Sequence, residues 1–149
     1  MIEVRRATLA DLERWAQMRH ALWNEQEVAH HREDARATYL CGNADRMALI
    51  ALDESKQVVG FAEAAVRRDY VDGCDTTPVA FLEGIFVEPS GRRRGAARML
   101  SDASASWGRE RGCAEYASNA LLDNVDSHAF HASIGFVETE RVVFFKRRI

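Results

Sequence analysis

The residues with the clearest potential for chemistry lie between Glu83 and Ala97. Glu83 interrupts the apolar run Val79–Val87, whose β-branched and aromatic residues are typical of a strand buried on both faces. A carboxylate inside such a run is costly unless it is paired or has a function. The glycine that follows it indicates a bulge or a close backbone approach. Pro89–Gly91 then ends the strand, and Arg92–Ala97 opens a helix.

The start of that helix has the composition of an anion-binding turn. The first N–H groups of a helix lack intrahelical acceptors and carry the positive end of the helix dipole. Small residues at Gly95, Ala96 and Ala97 allow a phosphate to approach them, and arginines beside them add charge. The chain has neither G-x-x-x-x-G-K-[ST] nor G-x-G-x-x-G, which argues against nucleotide hydrolysis and dinucleotide redox chemistry. The alternative for Arg92–Arg94 is a basic run that only faces solvent.

The composition predicts one globular domain over residues 1–149. The 149 residues are 47% hydrophobic, and no apolar segment approaches the length of a membrane span. The chain does not begin like a signal peptide. Three widely spaced cysteines argue against a disulfide framework or a metal site, and the net charge of −3 argues against nucleic acid as the main partner. We therefore expect a cytoplasmic protein that holds no metal and binds neither membrane nor nucleic acid.

Periodicity and turn chemistry predict the elements that position these residues. Before the central strand we expect a first strand at Ile2–Arg6 and a helix from Leu12 to about Trp23, which follows a Thr8–Asp11 capping box. A second helix at Val28–Leu40 and a β-hairpin of Met47–Leu52 with Val58–Val66 should follow. After the helix that ends at Gly112 we expect a strand, a helix and two more strands: Glu115–Ser118, Val125–Ile134, Phe136–Glu140 and Val142–Lys146. This order indicates an α/β (α+β) fold, a mixed central sheet with helices on both faces.

The motif Arg92-x-x-Gly95-x-Ala97 after an apolar strand resembles the acetyl-CoA signature of the GNAT N-acetyltransferases. Three further segments are similar to the aminoglycoside 6'-N-acetyltransferases of that superfamily: Tyr70–Gly73, Phe81–Val87 and Gly135–Arg141. The resemblance covers nearly the whole chain. It implies a GNAT fold and transfer of an acetyl group from acetyl-CoA to the 6'-amine of an aminoglycoside, by direct attack in a ternary complex, which would confer antibiotic resistance.

The resemblance also implies how acetyl-CoA is held. In the family the coenzyme lies where the central strand and the next strand splay apart. The pantetheine would pair with the main chain of Ile85, Phe86 and Val87. The pyrophosphate would lie on the N–H groups of the turn: Arg93, Arg94, Gly95, Ala96, Ala97 and Arg98. Asn124 matches an asparagine that contacts the coenzyme, and it can also cap its own helix.

Acetyl transfer requires a neutral amine, whereas an alkyl amine is mostly protonated at neutral pH. Glu83 is the candidate to hold the ammonium and accept its proton, directly or through water. The alternative for Glu83 is an ion pair with a neighbouring arginine. His131 occupies the position where the family commonly has a tyrosine that protonates the coenzyme thiolate. It is therefore a candidate acid, although it can also be a packing residue.

The resemblance places Trp23, Tyr70, Glu83 and Glu140 at the substrate site, where carboxylates and an aromatic ring suit a cationic aminosugar. For either aromatic residue the alternative is a place in the core. Asn119 stands where relatives tend to have an aspartate, so it can bind a substrate without adding charge. Relatives use a strand near Glu140 in dimer contacts, and we therefore expect a homodimer.

Two other functions remain open from the sequence. A GNAT enzyme that acetylates a polyamine or a protein amine would retain the phosphate-binding turn and Glu83, but would require a narrower channel or a peptide groove. A non-catalytic module that only binds acyl-CoA would also retain the turn. In that case Glu83 would be structural.

Overall fold

A five-stranded mixed sheet forms the centre of the computed structural model, which describes residues 1–149. The strands lie side by side in chain order: β1 (Glu3–Arg6), β2 (Arg46–Leu52), β3 (Val58–Arg67), β4 (Val79–Val87) and β5 (Tyr116–Ala117). The pairs from β1 to β4 are antiparallel, whereas β5 runs parallel to β4 and pairs with it only at Ala80 and Phe81. The predicted hairpin and central strand are therefore confirmed.

Helices cover both faces of this sheet. They are α1 (Leu12–Leu22), α2 (Val28–Tyr39), α3 (Ala96–Glu110) and α4 (Val125–Ser133). Helices α1 and α2 pack on one face around the buried Trp15 and Phe61, and α3 packs on the other around Leu100 and Trp107. This arrangement confirms the predicted fold class. None of the helices is long and apolar enough to cross a bilayer.

Two element boundaries show how local chemistry sets the fold. The backbone N–H of Thr8 donates to Asp11 Oδ2 at 2.8 Å, as the predicted capping box requires. Helix α3 begins at Ala96 rather than at Arg92. The reason is that Arg93 and Gly95 adopt left-handed φ values of 60° and 83°, which end any right-handed helix before Ala96.

The prediction of two C-terminal strands is wrong. Neither Phe136–Glu140 nor Val142–Lys146 forms a strand, and no backbone hydrogen bond joins residues 137–149 to any other group of the backbone. Strand propensity alone does not hold a segment in a sheet, because the backbone groups need a neighbouring strand. This segment, residues 137–149, leaves Phe144 and Phe145 87% and 92% exposed.

Candidate active site

The site begins where β5 separates from β4. After Phe81 the ladder between the two strands stops, and Ser118 Oγ donates to the carbonyl of Leu82 at 3.2 Å in place of a strand hydrogen bond. Beyond Leu82, that edge of β4 has no strand partner. On the other edge Glu63 pairs with Gly84 while the next residue pairs with Leu82, so Glu83 is the extra residue of a β-bulge. The bulge predicted at this glycine is confirmed.

A cleft of about 540 Å³ lies beside this open edge. Eight of the ten residues predicted for the coenzyme line it: Ile85, Phe86, Val87, Arg93, Gly95, Ala96, Ala97 and Arg98. The walls combine apolar side chains of β4 with the turn that precedes α3. The cleft therefore offers a backbone edge at one end and an anion-binding turn at the other.

The turn presents its backbone N–H groups without internal acceptors. The first helical hydrogen bond of α3 runs from Met99 N–H to Gly95 O at 3.0 Å. No hydrogen bond within the chain uses the N–H groups of residues 93–98. Unpaired N–H groups at the positive end of a 15-residue helix can donate to a bound anion. Arg98, which also donates to the Ser133 carbonyl, ties this turn to the end of α4.

Two predicted coenzyme residues do not line the cleft. Arg94 turns away from it and forms an ion pair with Glu54. Asn124 caps α4, where its Oδ1 accepts from Ser127 N–H at 3.2 Å. Both remain predictions as coenzyme contacts.

Sequence reasoning missed six residues of this cleft: Leu22, Gly91, Arg92, Asp126, Ser127 and Phe130. Arg92 is the informative one, because it begins the motif and its Nε donates to the carbonyl of Val87 at 3.0 Å. This hydrogen bond connects the turn to the last residue of β4. The position of Arg92 in the motif was a signal that it contributes to the site.

A second cavity, of about 350 Å³, lies on the α1–α2 side of the bulge. Trp23 and Glu83, two of the residues predicted for the substrate site, both line this cavity. No sequence motif pointed to the remaining lining residues: Arg19, Glu25, His30, His31, Asp34, Tyr39 and Glu63. Four of its nine lining residues are carboxylates, so the cavity suits a cation.

Glu83 forms a bidentate ion pair with Arg67. Arg67 Nε and Nη2 lie 3.0 and 2.8 Å from its two carboxylate oxygens, and the guanidinium also lies 3.5 Å from the centre of the Phe81 ring. The ion pair considered as the alternative for Glu83 is therefore present. The side chain is nevertheless 21% exposed and lines the second cavity, so an ammonium can still approach it.

Trp23 is held against the bulge by contacts on three sides. A Cβ at Gly84 would lie 2.3 Å from Cη2 of the ring, so only glycine allows this approach. His31 Nε2 contacts the Trp23 carbonyl at 2.8 Å, and the Arg19 guanidinium lies 5.2 Å from the ring centre. Trp23 is half-buried, so it packs partly against the core and also lines the second cavity. These are the two alternatives that the sequence left open.

The other three predicted substrate residues lie outside both cavities. Tyr70 is 72% exposed on the loop before β4. Glu140 lies over the same loop, with Oε1 3.5 Å from the Cβ position of Gly73. Asn119 is exposed just past β5. Their substrate roles remain predictions.

His131 contacts the residue that marks the separation of β4 and β5. Its Nε2 lies 2.8 Å from Ser118 Oγ, and its Nδ1 lies 2.7 Å from the carbonyl of Ser127. Because a carbonyl only accepts, Nδ1 carries a proton. The single hydroxyl proton of Ser118 is given to the Leu82 carbonyl, so Nε2 faces the Ser118 oxygen and donates to it in the imidazolium. His131 lines neither cavity, and its ring packs 5.4 Å from that of Phe136.

Glu63 is a buried carboxylate that the sequence analysis did not single out. It is 1% exposed and accepts from Trp15 Nε1 at 2.9 Å, and Arg19 Nε lies 2.8 Å away. Burial raises the pKa of Glu63 to about 7, against the opposing effect of Arg19. Burial also raises the pKa of Tyr39, with Glu63 and Glu83 adding to the effect. The signal for this network was a charged residue inside the apolar run of β3.

Comparison with known proteins identifies the family to which the chain belongs. Residues 15–136 match the model of the acetyltransferase (GNAT) family. The chain is 42% identical over 149 residues to aminoglycoside N(6')-acetyltransferase type 1 of Acinetobacter haemolyticus, with 99% of each chain covered. It is 44% identical over 140 residues to the enzyme of the same name from Acinetobacter baumannii, with 94% of each chain covered.

Solved structures give the same result. The fold matches AAC(6')-Iy in complex with the bisubstrate analogue CoA-S-monomethyl-acetylneamine with a TM-score of 0.89 at 39% identity, covering 100% of this chain and 99% of the other. It matches the aminoglycoside antibiotic 6'-N-acetyltransferase AAC(6')-Ih from Acinetobacter baumannii with a TM-score of 0.91 at 41% identity, again covering 100% and 99%.

Proposed function

The chain belongs to the GNAT acetyltransferase family, and on this premise we propose that it transfers the acetyl group of acetyl-CoA to the 6'-amine of aminoglycoside antibiotics. One observation carries the proposal. An anion-binding cleft and a carboxylate-lined cavity lie on adjoining stretches of β4, with only Gly84 between Glu83 of the cavity and Ile85 of the cleft. Relatives of about 40% identity that bear the aminoglycoside N(6')-acetyltransferase name support the choice of acceptor.

The residues of the cleft fit acetyl-CoA. Five of the six residues with unpaired N–H groups, all but Arg94, line the cleft and suit the pyrophosphate, and Arg93 and Arg98 add positive charge. The open edge of β4 offers main-chain groups of Ile85, Phe86 and Val87 to an extended amide chain, as an added strand would use them. Bound there, acetyl-CoA supplies the activated acyl group.

The second cavity, or acceptor cavity, binds the acceptor amine and removes its proton. Its carboxylates attract a polycation, and Glu83 receives the proton that the attacking ammonium must lose, directly or through water. Arg67 keeps Glu83 in place by its bidentate contact. Both substrates are then held together, so the amine attacks the thioester directly in a ternary complex.

His131 is proposed as the group that protonates the departing thiolate. Its Nε2 faces Ser118 Oγ, and Ser118 in turn contacts the Leu82 carbonyl at the point where β4 and β5 separate. In the imidazolium, Nε2 carries the proton that is transferred, and the Nδ1–H continues to donate to the carbonyl of Ser127.

We also infer that the working enzyme is a cytoplasmic homodimer. Residues 137–149 carry exposed Val143, Phe144 and Phe145 and have unused backbone donors and acceptors. An extended apolar segment of this kind is stabilised by pairing with a second chain. Glu140, close to the loop that carries Tyr70, would then border the acceptor sites at this interface.

The test is thiol release from acetyl-CoA with a panel of amines. We expect turnover with kanamycin-like aminoglycosides that carry a 6'-amine and none with analogues that carry a 6'-hydroxyl. Turnover with polyamines alone would favour the polyamine alternative. Binding of acetyl-CoA with no thiol release for any amine would favour the non-catalytic module.

A further inference from the structure

The buried pair formed by Arg19 and Glu63 lines the acceptor cavity, and neither residue has been assigned a step in the proton or acetyl transfer. Glu63 is on β3, and its Cα partner in the sheet is Gly84, the glycine of the bulge. Arg19 is on α1 and is 6% exposed. A charged pair this deeply buried contributes little to stability compared with well-packed apolar residues, so its presence calls for a function.

Arg19 joins three elements at once. Its Nη1 donates to the carbonyl of His31 at 3.0 Å and its Nη2 donates to Asp34 Oδ2 at 2.8 Å, both on α2. Its Nε lies 2.8 Å from Glu63 Oε1 on β3, although the N–H does not point along this contact. Nη2 also donates to Glu63 Oε2 at 3.4 Å, so contacts with α2 and with β3 together hold the guanidinium between the helix and the sheet.

The Arg19 guanidinium also lies over the ring of Trp23. Its Cζ is 5.2 Å from the centre of the Trp23 ring, within the range of a cation–π contact. His31, whose own carbonyl accepts from Arg19, contacts the Trp23 carbonyl through Nε2. Arg19 thus acts on Trp23 through the ring and, by way of His31, through the backbone.

We propose that Glu63 and Arg19 are positioning residues that set the place of Trp23 in the acceptor cavity and so determine affinity for the cationic acceptor. The inference rests on the proposed function, because it assigns Trp23 to the acceptor site. Both residues line the second cavity, and neither lines the coenzyme cleft. Their loss should therefore change acceptor binding and leave coenzyme binding intact.

The experiment measures KM for an aminoglycoside and for acetyl-CoA in Glu63→Gln at pH 8, where Glu63 is ionised in the parent. Glutamine keeps the shape and removes the charge that draws Arg19 toward the sheet. We expect the aminoglycoside KM to rise about tenfold while the acetyl-CoA KM stays within about twofold. Arg19→Lys, which keeps the charge without the planar fork, should produce the same split.

Asp11→Asn is the matched control. Asp11 is also 6% exposed and accepts a bidentate contact from an arginine, Arg5, with oxygens 2.7 and 2.9 Å away, but it lies at the start of α1 and lines neither cavity. It should lower the melting temperature and leave both KM values unchanged.

The outcomes distinguish failure of the proposed function from failure of the positioning role. A parent protein that acetylates no aminoglycoside would refute the proposed function. An active parent whose Glu63→Gln and Arg19→Lys variants match Asp11→Asn in both KM values would overturn the positioning role. A parallel rise of both KM values would overturn it as well, because it would indicate general loosening of the fold. If Glu63→Gln does not fold, the split in Arg19→Lys decides.

Discussion

The contact between Gly84 and Trp23 leads to a sharp prediction. Gly84 has no left-handed φ, so alanine is allowed by its backbone, and in a strand it would by itself add about 0.5–1 kcal/mol of stability. In this chain the new Cβ would lie 2.3 Å from Cη2 and 2.5 Å from Cζ2 of Trp23. Ordinary contact begins near 3.4 Å, so the ring or β4 must move by about 1 Å. We expect Gly84→Ala to lower the free energy of unfolding by about 1–3 kcal/mol.

A double-mutant cycle isolates the cause. Trp23→Phe removes both clashing atoms, so Gly84→Ala should cost less in this background than in the parent, with a coupling energy of at least about 1 kcal/mol. The assay is urea unfolding of the four proteins, followed by far-ultraviolet circular dichroism. Additivity of the two single changes within about 0.5 kcal/mol would refute the claim that the ring excludes a side chain at position 84.

Three further predictions test the charges and the C-terminal segment. Glu83→Gln should lower kcat about 100-fold at pH 7 and much less at pH 9, where more of the amine is free; equal losses at both pH values would remove Glu83 from the role of base. Burial raises the pKa of Glu63 from 4.5 to about 7, so the native state holds an extra proton between these values and stability falls as the pH rises through them. Urea unfolding at several pH values from 5 to 8 should therefore show that the free energy of unfolding of the parent falls by up to about 1.4 kcal/mol per pH unit. This fall should be absent in Glu63→Gln. Identical slopes in the two proteins would contradict a raised pKa for Glu63. Replacing Phe144 and Phe145 together with serine should convert the dimer to a monomer in sedimentation velocity, whereas Leu9→Ser, at a 67% exposed apolar residue elsewhere, should not; a parent that is itself monomeric would refute the dimer.

The sequence predicted the sheet, four helices and most of the coenzyme cleft, because these depend on local patterns. Val79–Val87 could be identified from its apolar run, and the turn at Gly95 from its small residues and charge. The comparisons confirm the family that this motif indicated.

The errors concern interactions between distant segments. Residues 142–146 have the composition of a strand, but composition does not supply a neighbouring strand. Arg67 is the last residue of β3, and only the packing of β3 against β4 shows that it reaches Glu83. Glu63 was passed over because its partners Trp15 and Arg19 are 48 and 44 residues away along the chain.

The bulge at Glu83 changes which side of the sheet each residue of β4 faces. Before it, Ala80 and Leu82 pack toward α3, and after it Ile85 and Val87 do so, so the even positions exchange with the odd ones. One inserted residue thus places Glu83 and Gly84 next to each other on the acceptor side without disturbing the α3 core. Deletion of Glu83 would leave Leu82 opposite Ala64 and Gly84 opposite Glu63 as consecutive pairs of a regular strand, so both halves of β4 would keep their present faces and only the acceptor side would lose its carboxylate.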